Sequence, residues 1–153
     1  MNTIMSAELK KRTFTDTVIT CILCGAALVM AVWQFVTYLS GRGIPEYLTN
    51  AAYSFMIFTE LGLLSMILLE IRRTGVPFSK KIILKLRIMA VVMMAGGIVP
   101  RCQQIGADDT SMAVSVTFDS VNMLLIVLSV VVGIISEVFV YGLKLQQDND
   151  SIA

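Results

Sequence analysis

The apolar run from Val18 to Leu39 constrains the fold of this chain more than any other feature, because it carries no charged residue over about 22 positions. A helix of that length is roughly 33 Å long, enough to cross the ~30 Å hydrocarbon core of a membrane. The run is longer than the roughly 7 to 15 apolar residues of a secretory signal, and no clear small-x-small cleavage site of the Ala-x-Ala type follows it. It therefore predicts a retained membrane-spanning helix.

Composition extends this prediction to most of the chain. Hydrophobic residues make up 56% of the 153 residues and charged residues only 15%, whereas about a quarter of the residues in a soluble domain are charged. The chain has no histidine, which excludes Ser-His and Cys-His nucleophiles, HExxH zinc sites and His-ligated haem. A net charge of +1 gives no basic face for direct nucleic-acid binding. We therefore expect no enzyme activity, no cofactor and no metal site.

Four apolar segments are separated by short polar connections, which predicts an all-α fold: a single domain over residues 1–153 with four transmembrane helices. The predicted spans cover about residues 16–39, 48–71, 82–105 and 111–143, followed by a tail over 144–153. The last helix is expected to begin near Thr110 or Ser111, where a hydroxyl can cap it. Because it is longer than a bilayer is thick, its end should project from the membrane.

The third span is the weakest of the four. Its uninterrupted apolar stretch, from Ile88 to Pro100, has only about 13 residues, fewer than the ~20 that a crossing helix needs. It can cross if the helix runs from near Ile82 to about Ile105, with Lys85 and Arg87 extending their charged ends to the interface. A re-entrant segment is the alternative.

Lysine and arginine are distributed unevenly between the connections, which predicts the orientation of the bundle. With both termini and the second connection inside, ten basic residues face the cytoplasm: Lys10, Lys11, Arg12, Arg72, Arg73, Lys80, Lys81, Lys85, Arg87 and Lys144. Only Arg42 and Arg101 then lie outside. Positive charge is concentrated on the cytoplasmic side of membrane proteins, so both termini are predicted to be cytoplasmic.

Polar residues inside the predicted spans are candidates for a functional site, because burying a charge at the centre of a membrane helix costs about 2.5 to 3.5 kcal/mol. The predicted intramembrane cluster consists of Gln34, Glu60, Arg101, Asp119 and Asn122, with Arg101 neutralising Asp119. One interpretation is a small-ligand or cation site in a small transporter or channel subunit that uses Glu60 and Asp119. The other is helix packing through hydrogen bonds worth roughly 0.6 to 2 kcal/mol each.

A second set of candidates lies at the cytoplasmic end. The basic hinge contributes Arg72, Arg73, Gly75, Pro77, Phe78, Lys80, Lys81 and Arg87, and the end of the chain contributes Glu137, Gly142, Leu145, Gln146, Asp148, Asn149 and Asp150. We expect the basic residues at 72, 73, 80 and 81 to pair with the acids at 137, 148 and 150. Topology and attraction to anionic lipid also explain the basic hinge, whereas the tail is better explained as a docking surface.

Two short motifs occur around the last two predicted spans. The first is Gly75-Val-Pro77-Phe78-Ser79-Lys80, followed by Leu86-Arg87. The second is Phe139-x-x-Gly142-x-x-Leu145-Gln146-x-Asp148-Asn149-Asp150. In this order around four apolar spans they resemble the bacterial membrane family called domain of unknown function 2975 (DUF2975), although that family usually ends in Leu-Thr-aliphatic where this chain has Ser151-Ile152-Ala153.

The resemblance implies a multi-pass protein of the bacterial cytoplasmic membrane whose gene often lies beside that of a short helix-turn-helix transcriptional regulator. The expected partners are therefore the lipid bilayer and a cytoplasmic DNA-binding regulator. The oligomeric state stays open, with a homo-oligomer as one alternative.

Overall fold

The computed structural model describes residues 7–42, 44–75, 78–105 and 113–152, which form four long helices and one β-hairpin. The elements are helix α1 (Ala7–Thr37), a short π-helical continuation (Tyr38–Arg42), helix α2 (Pro45–Thr74), helix α3 (Lys80–Ile98), strand β1 (Arg101–Ile105), strand β2 (Ala113–Thr117) and helix α4 (Ser120–Ile152). The predicted helical fold is therefore confirmed, with a small hairpin added.

Three helices in the described ranges are long and apolar enough to cross a membrane, over Lys11–Ser40, Pro45–Thr74 and Ser120–Asn149. Helix α3 is not among them, since its first turns carry Lys80, Lys81, Lys85 and Arg87. The outward faces of the three helices expose large apolar side chains such as Trp33, Phe55 and Val127. An apolar exterior of this extent is compatible with lipid as the surrounding medium.

Buried residues recur at intervals of seven along the helices. They include Tyr53, Glu60 and Ile67 on α2, Ile82 and Met89 on α3, and Asn122, Ser129 and Ser136 on α4. A seven-residue repeat keeps one stripe of each helix turned towards its neighbours in a left-handed bundle. Helix α1 packs against α2 and α3 packs against α4, and α2 joins the two pairs.

The turn between α2 and α3 is defined by local backbone chemistry. Gly75 ends α2 in the left-handed conformation (φ 68°), and its N–H donates to the Ile71 carbonyl at 2.8 Å. Glycine adopts this conformation without the steric penalty of a Cβ. Ser79 begins α3 by accepting a hydrogen bond from the Ile82 N–H at 3.2 Å. The predicted hinge residue Pro77 lies outside the described residues.

The predicted end of the third span and the predicted start of the fourth span were wrong. Helix α3 ends at Ile98 because Pro100 lacks an N–H and restricts the residue before it, and Val99 is indeed extended (φ −72°, ψ 118°). Residues 101–105 then form β1 rather than more helix.

Strand β2 occupies part of the stretch that was predicted to begin the last helix. Its sequence, Ala-Val-Ser-Val-Thr, alternates β-branched residues, which favour a strand. It pairs antiparallel with β1, with Arg101 opposite Thr117 and Ile105 opposite Ala113. Helix α4 consequently begins at Ser120, and the expected caps, Thr110 and Ser111, lie outside the described residues.

Candidate functional site

Asn122 links three helices at the end of the bundle that bears the hairpin, called here the outer end. It is completely buried, and its amide nitrogen lies 2.9 Å from the Tyr53 hydroxyl, 3.1 Å from the Gly97 carbonyl and 2.7 Å from the Val99 carbonyl. The Tyr53 hydroxyl can in turn donate to the carbonyl of Val99 at 2.7 Å. The last carbonyls of a helix have no partner within it, so side chains from α2 and α4 satisfy those at the end of α3.

Arg101 and Asp119 complete this outer layer. The Arg101 guanidinium lies 4.5 Å from the centre of the Tyr53 ring, and its Nη1 is 3.9 Å from Asp119 Oδ2. The structure thus brings together the predicted pair. Asp119 immediately precedes α4, and its carboxylate accepts a hydrogen bond from the Ser120 N–H at 2.6 Å. The carboxylate thus accepts from one of the N–H groups at the start of α4 that have no partner within the helix, and its intramembrane location stays a prediction.

Gln34 is separate from this layer. Its side-chain oxygen accepts a hydrogen bond from the Ser54 hydroxyl at 3.1 Å, between α1 and α2. The same helix pair is joined further along by Cys21 and Ser65, whose Sγ and Oγ atoms are 3.1 Å apart. These contacts are of the kind that fixes helix packing in membranes.

Glu60 lies deeper in the bundle than the outer layer. It is 8% exposed, and neither carboxylate oxygen has a hydrogen-bond partner in the part of the chain that the structure describes. It is seven residues beyond Tyr53, or about 10 Å along the helix. Of the five predicted cluster residues, the structure therefore joins Arg101, Asp119 and Asn122.

Two buried serines continue the polar stripe of α4 at the depth of Glu60 and beyond. Helices α2 and α4 run in the same direction, so Ser129, seven residues beyond Asn122, lies at about the level of Glu60. The Ser129 hydroxyl donates to the Ile126 carbonyl at 2.8 Å, whereas the Ser136 hydroxyl is completely buried with no hydrogen-bond partner among the described residues.

No group of three or more Cys, Asp or Glu side chains within the described ranges could hold a metal ion.

At the opposite, inner end, Phe78 of the hinge packs against α4. Its ring meets Phe139 edge to face, with centroids 5.2 Å apart. A Cβ added at Gly142 would lie 2.7 Å from the same ring, so a larger residue there would displace the ring. The two sequence motifs are thus in direct contact, and the Phe139-x-x-Gly142 spacing is the signal of a single helix face.

The ion pairs of the inner end differ from those expected. Glu137 pairs with Arg87 of α3 at 2.8 Å, not with the basic residues at 72, 73, 80 and 81. Arg72 instead stacks over the Phe14 ring of α1 at 4.8 Å. Asp148 forms no ion pair within the described residues, and the side chain of Asp150 lies outside them. The predicted hinge-to-tail pairing was wrong for Glu137, whose position faces α3 rather than the turn.

Helix α4 continues beyond the Phe78 contact to Ile152, a projection of about 15 Å past Gly142. Tyr141 and Leu145 are 66% and 67% exposed on it. They are four residues apart and share a face with the exposed Asp148 and Asn149, whereas Gln146 is partly buried. This face, Tyr141, Leu145, Asp148 and Asn149, is called the α4 stripe below.

No family model, no curated protein and no solved structure matches this chain. Membership of DUF2975 therefore stays a prediction that depends on the two motifs.

Proposed function

We propose that this protein is an integral protein of the bacterial cytoplasmic membrane and acts there as the membrane partner of a cytoplasmic helix-turn-helix regulator. In this proposal four helices cross the membrane, and both termini and the hinge lie in the cytoplasm. The ten-to-two distribution of basic residues supports the orientation.

The crossing of α3 is supported by its contacts at both ends of α4. Near its end, Gly97 contacts Asn122, and just before its start Phe78 contacts Phe139. Asn122 and Phe139 are separated by about 25 Å of helix, close to the thickness of the hydrocarbon core. A re-entrant segment would return to the side from which it started, whereas α3 extends along most of the bundle.

The observation that carries the proposed function is the α4 stripe. It begins level with the hinge contact and continues along the projecting end of α4, which in this proposal leaves the lipid, and it exposes Tyr141 and Leu145 beside an acid and an amide. Amphipathic helices with apolar positions at this spacing bind grooves on partner proteins. The carboxylate of Asp148 also complements the basic face that a DNA-binding protein presents, so docking would compete with DNA for the regulator.

Co-purification tests this function directly. Membranes that contain the tagged protein and the proposed helix-turn-helix regulator would be solubilised and the recovered regulator quantified. Leu145→Asp should lower recovery at least tenfold, because it places a charge in the apolar part of the stripe. Gln147 is exposed on the opposite side of the same helix, so Gln147→Ala should leave recovery unchanged. Neither variant should alter membrane insertion. Equal recovery with Leu145→Asp would refute the docking surface.

Glu60 favours a second candidate function, a small transporter or channel subunit. A buried carboxylate without a hydrogen-bond partner among the described residues suits a proton or a monovalent cation. The buried serines of α4 lie at the same depth and further towards the inner end. Glu60→Gln should abolish cation or proton flux into liposomes while leaving the folded yield intact. Loss of folded protein instead would assign Glu60 to packing.

A further inference from the structure

A cavity of about 410 Å³ lies between the inner ends of α2 and α3. Helix α2 contributes Glu70 and Arg73, three residues apart, and α3 contributes Lys81 and Lys85, four residues apart. Residues at these spacings share a helix face, and the turn at Gly75 folds the two faces together. The cavity therefore follows from the hinge that the sequence singles out.

The charges around the cavity do not balance. Glu70 is paired with Lys85 and also accepts a hydrogen bond from the Ser79 hydroxyl at 3.4 Å. Arg73 and Lys81 form no ion pair within the described part of the chain. One carboxylate thus faces three cations, which leaves the cavity with an excess of two positive charges, while the Glu70–Lys85 pair fixes the relative position of the helices that carry them.

The wall of the cavity on the side of the membrane interior is apolar. Met66 and Leu69 line it and are 58% and 44% exposed. They lie about 10 and 6 Å from Arg73 along α2, in the direction of the bundle centre. The site therefore places cations at one end and hydrocarbon contacts at the other, the arrangement that a phospholipid requires.

We propose that this cavity binds the phosphate of an anionic phospholipid in the cytoplasmic leaflet. Arg73 and Lys81 contact the phosphate oxygens, and Met66 and Leu69 contact an acyl chain. Basic pockets between transmembrane helices bind anionic headgroups in this way. Free phosphate shares the headgroup chemistry but leaves the apolar wall without a partner, which is why the geometry points to the lipid. The inference depends on the membrane location of α2 and not on any regulator.

Two double variants distinguish a defined site from general attraction to the basic hinge. Arg73→Gln/Lys81→Gln removes the two uncompensated charges of the cavity. Arg72→Gln/Lys80→Gln removes the same charges from the neighbouring positions, which do not line it. Purified full-length protein would be titrated with phosphatidylglycerol, phosphatidylcholine or inorganic phosphate, and the bound fraction measured by native mass spectrometry.

The unchanged protein should bind one phosphatidylglycerol saturably and at least tenfold more tightly than phosphatidylcholine. Arg73→Gln/Lys81→Gln should weaken that binding at least tenfold, and Arg72→Gln/Lys80→Gln less than threefold. Equal losses in the two variants would show diffuse attraction only, equal binding of the two lipids would show acyl contacts only, and inorganic phosphate that binds equally tightly would identify free phosphate as the ligand. Each of these results overturns the proposal.

A second measurement covers the case in which the double variant folds poorly. The single variant Lys81→Gln should weaken phosphatidylglycerol binding at least threefold, and Lys80→Gln should not. Phosphatidylglycerol should also raise the melting temperature of the unchanged protein and of Lys80→Gln more than that of Lys81→Gln. Because these assays contain no regulator, their failure leaves the α4 stripe untested and the two proposals can fail separately.

Discussion

The outer and inner ends of the bundle are closed by different chemistry. At the outer end, Asn122 and Tyr53 donate hydrogen bonds to the last carbonyls of α3. Arg101 lies between the Tyr53 ring and Asp119. At the inner end, Phe78 packs on α4, and two ion pairs, Glu70–Lys85 and Arg87–Glu137, join neighbouring helices. Cations and apolar side chains around that contact stay exposed.

This difference indicates where the molecule can bind other molecules. Groups that are already hydrogen-bonded have little to gain from a ligand, so the outer layer is suited to holding helices together. The inner end carries uncompensated Arg73 and Lys81 and the exposed Leu145. Both proposed binding surfaces therefore lie at the inner end.

The largest effect is expected at the outer end, from Asn122→Leu. The change leaves buried carbonyls without their donor and should lower the free energy of unfolding by about 2 to 3 kcal/mol. Asn149→Leu, the same change on the exposed end of α4, should alter it by less than about 0.5 kcal/mol. Denaturant titration in detergent measures both, and similar losses would remove the distinction between the two ends.

Between the two ends, Glu60→Met should stabilise the protein by about 1 to 2 kcal/mol, because it removes a buried carboxylate that lacks a hydrogen-bond partner. Glu60→Gln keeps the polarity and should change stability less. The same denaturant titration compares them. A clear loss of stability in Glu60→Met would mean that the carboxylate has a partner, such as a bound cation, and would strengthen the transport alternative.

A smaller effect is expected at the inner end from Gly142→Ala. The new methyl group would contact the Phe78 ring, whereas a Cβ at Gly133 of the same helix has no atom within 4 Å. Gly133→Ala should therefore stabilise α4 by up to about 1 kcal/mol. Gly142→Ala should be about 1 to 2 kcal/mol less stable than Gly133→Ala. Equal stability would mean that the ring moves aside freely and that the closure is weak.

The smallest effect is expected from Arg87→Gln, which breaks the ion pair with Glu137. Both side chains are more than half exposed, and such pairs contribute at most about 0.5 to 1 kcal/mol. Thermal unfolding should shift by no more than a few degrees. A larger shift would show that charge, rather than the Phe78 contact, holds α3 to α4 at this end.

Hydropathy and local capping rules predict much of this fold. The apolar runs identify α1, α2 and α4, and Gly75 with Ser79 marks the hinge. The hairpin replaces predicted helix because Pro100 ends α3 and the β-branched residues of Ala113–Thr117 favour a strand. Tyr53, the central hydrogen-bonding group of the outer layer, was also missed.

Partners across helices could not be predicted in the same way. The contact between Tyr53 and Asn122 joins residues 69 positions apart, and the pairing of Glu137 with Arg87 spans 50. Such contacts depend on the axial position and the rotation of each helix. A shift by one residue turns the contacting face by 100°. Periodicity in the sequence shows which face of a helix is buried. Only the assembled bundle shows which residues of the neighbouring helices that face contacts.

Cysteine labelling of the two ends tests the account most directly, because its central claim is that the hairpin and the hinge lie on opposite sides of the membrane. In a background with Cys21→Ser and Cys24→Ser, native Cys102 of β1 reports the outer end; in a background that also carries Cys102→Ser, Lys80→Cys reports the inner end. A membrane-impermeant maleimide should label Cys102 in intact cells and the Lys80→Cys variant only after permeabilisation. Labelling of both positions from the same side would contradict the crossing of α3 and, with it, the cytoplasmic binding surfaces.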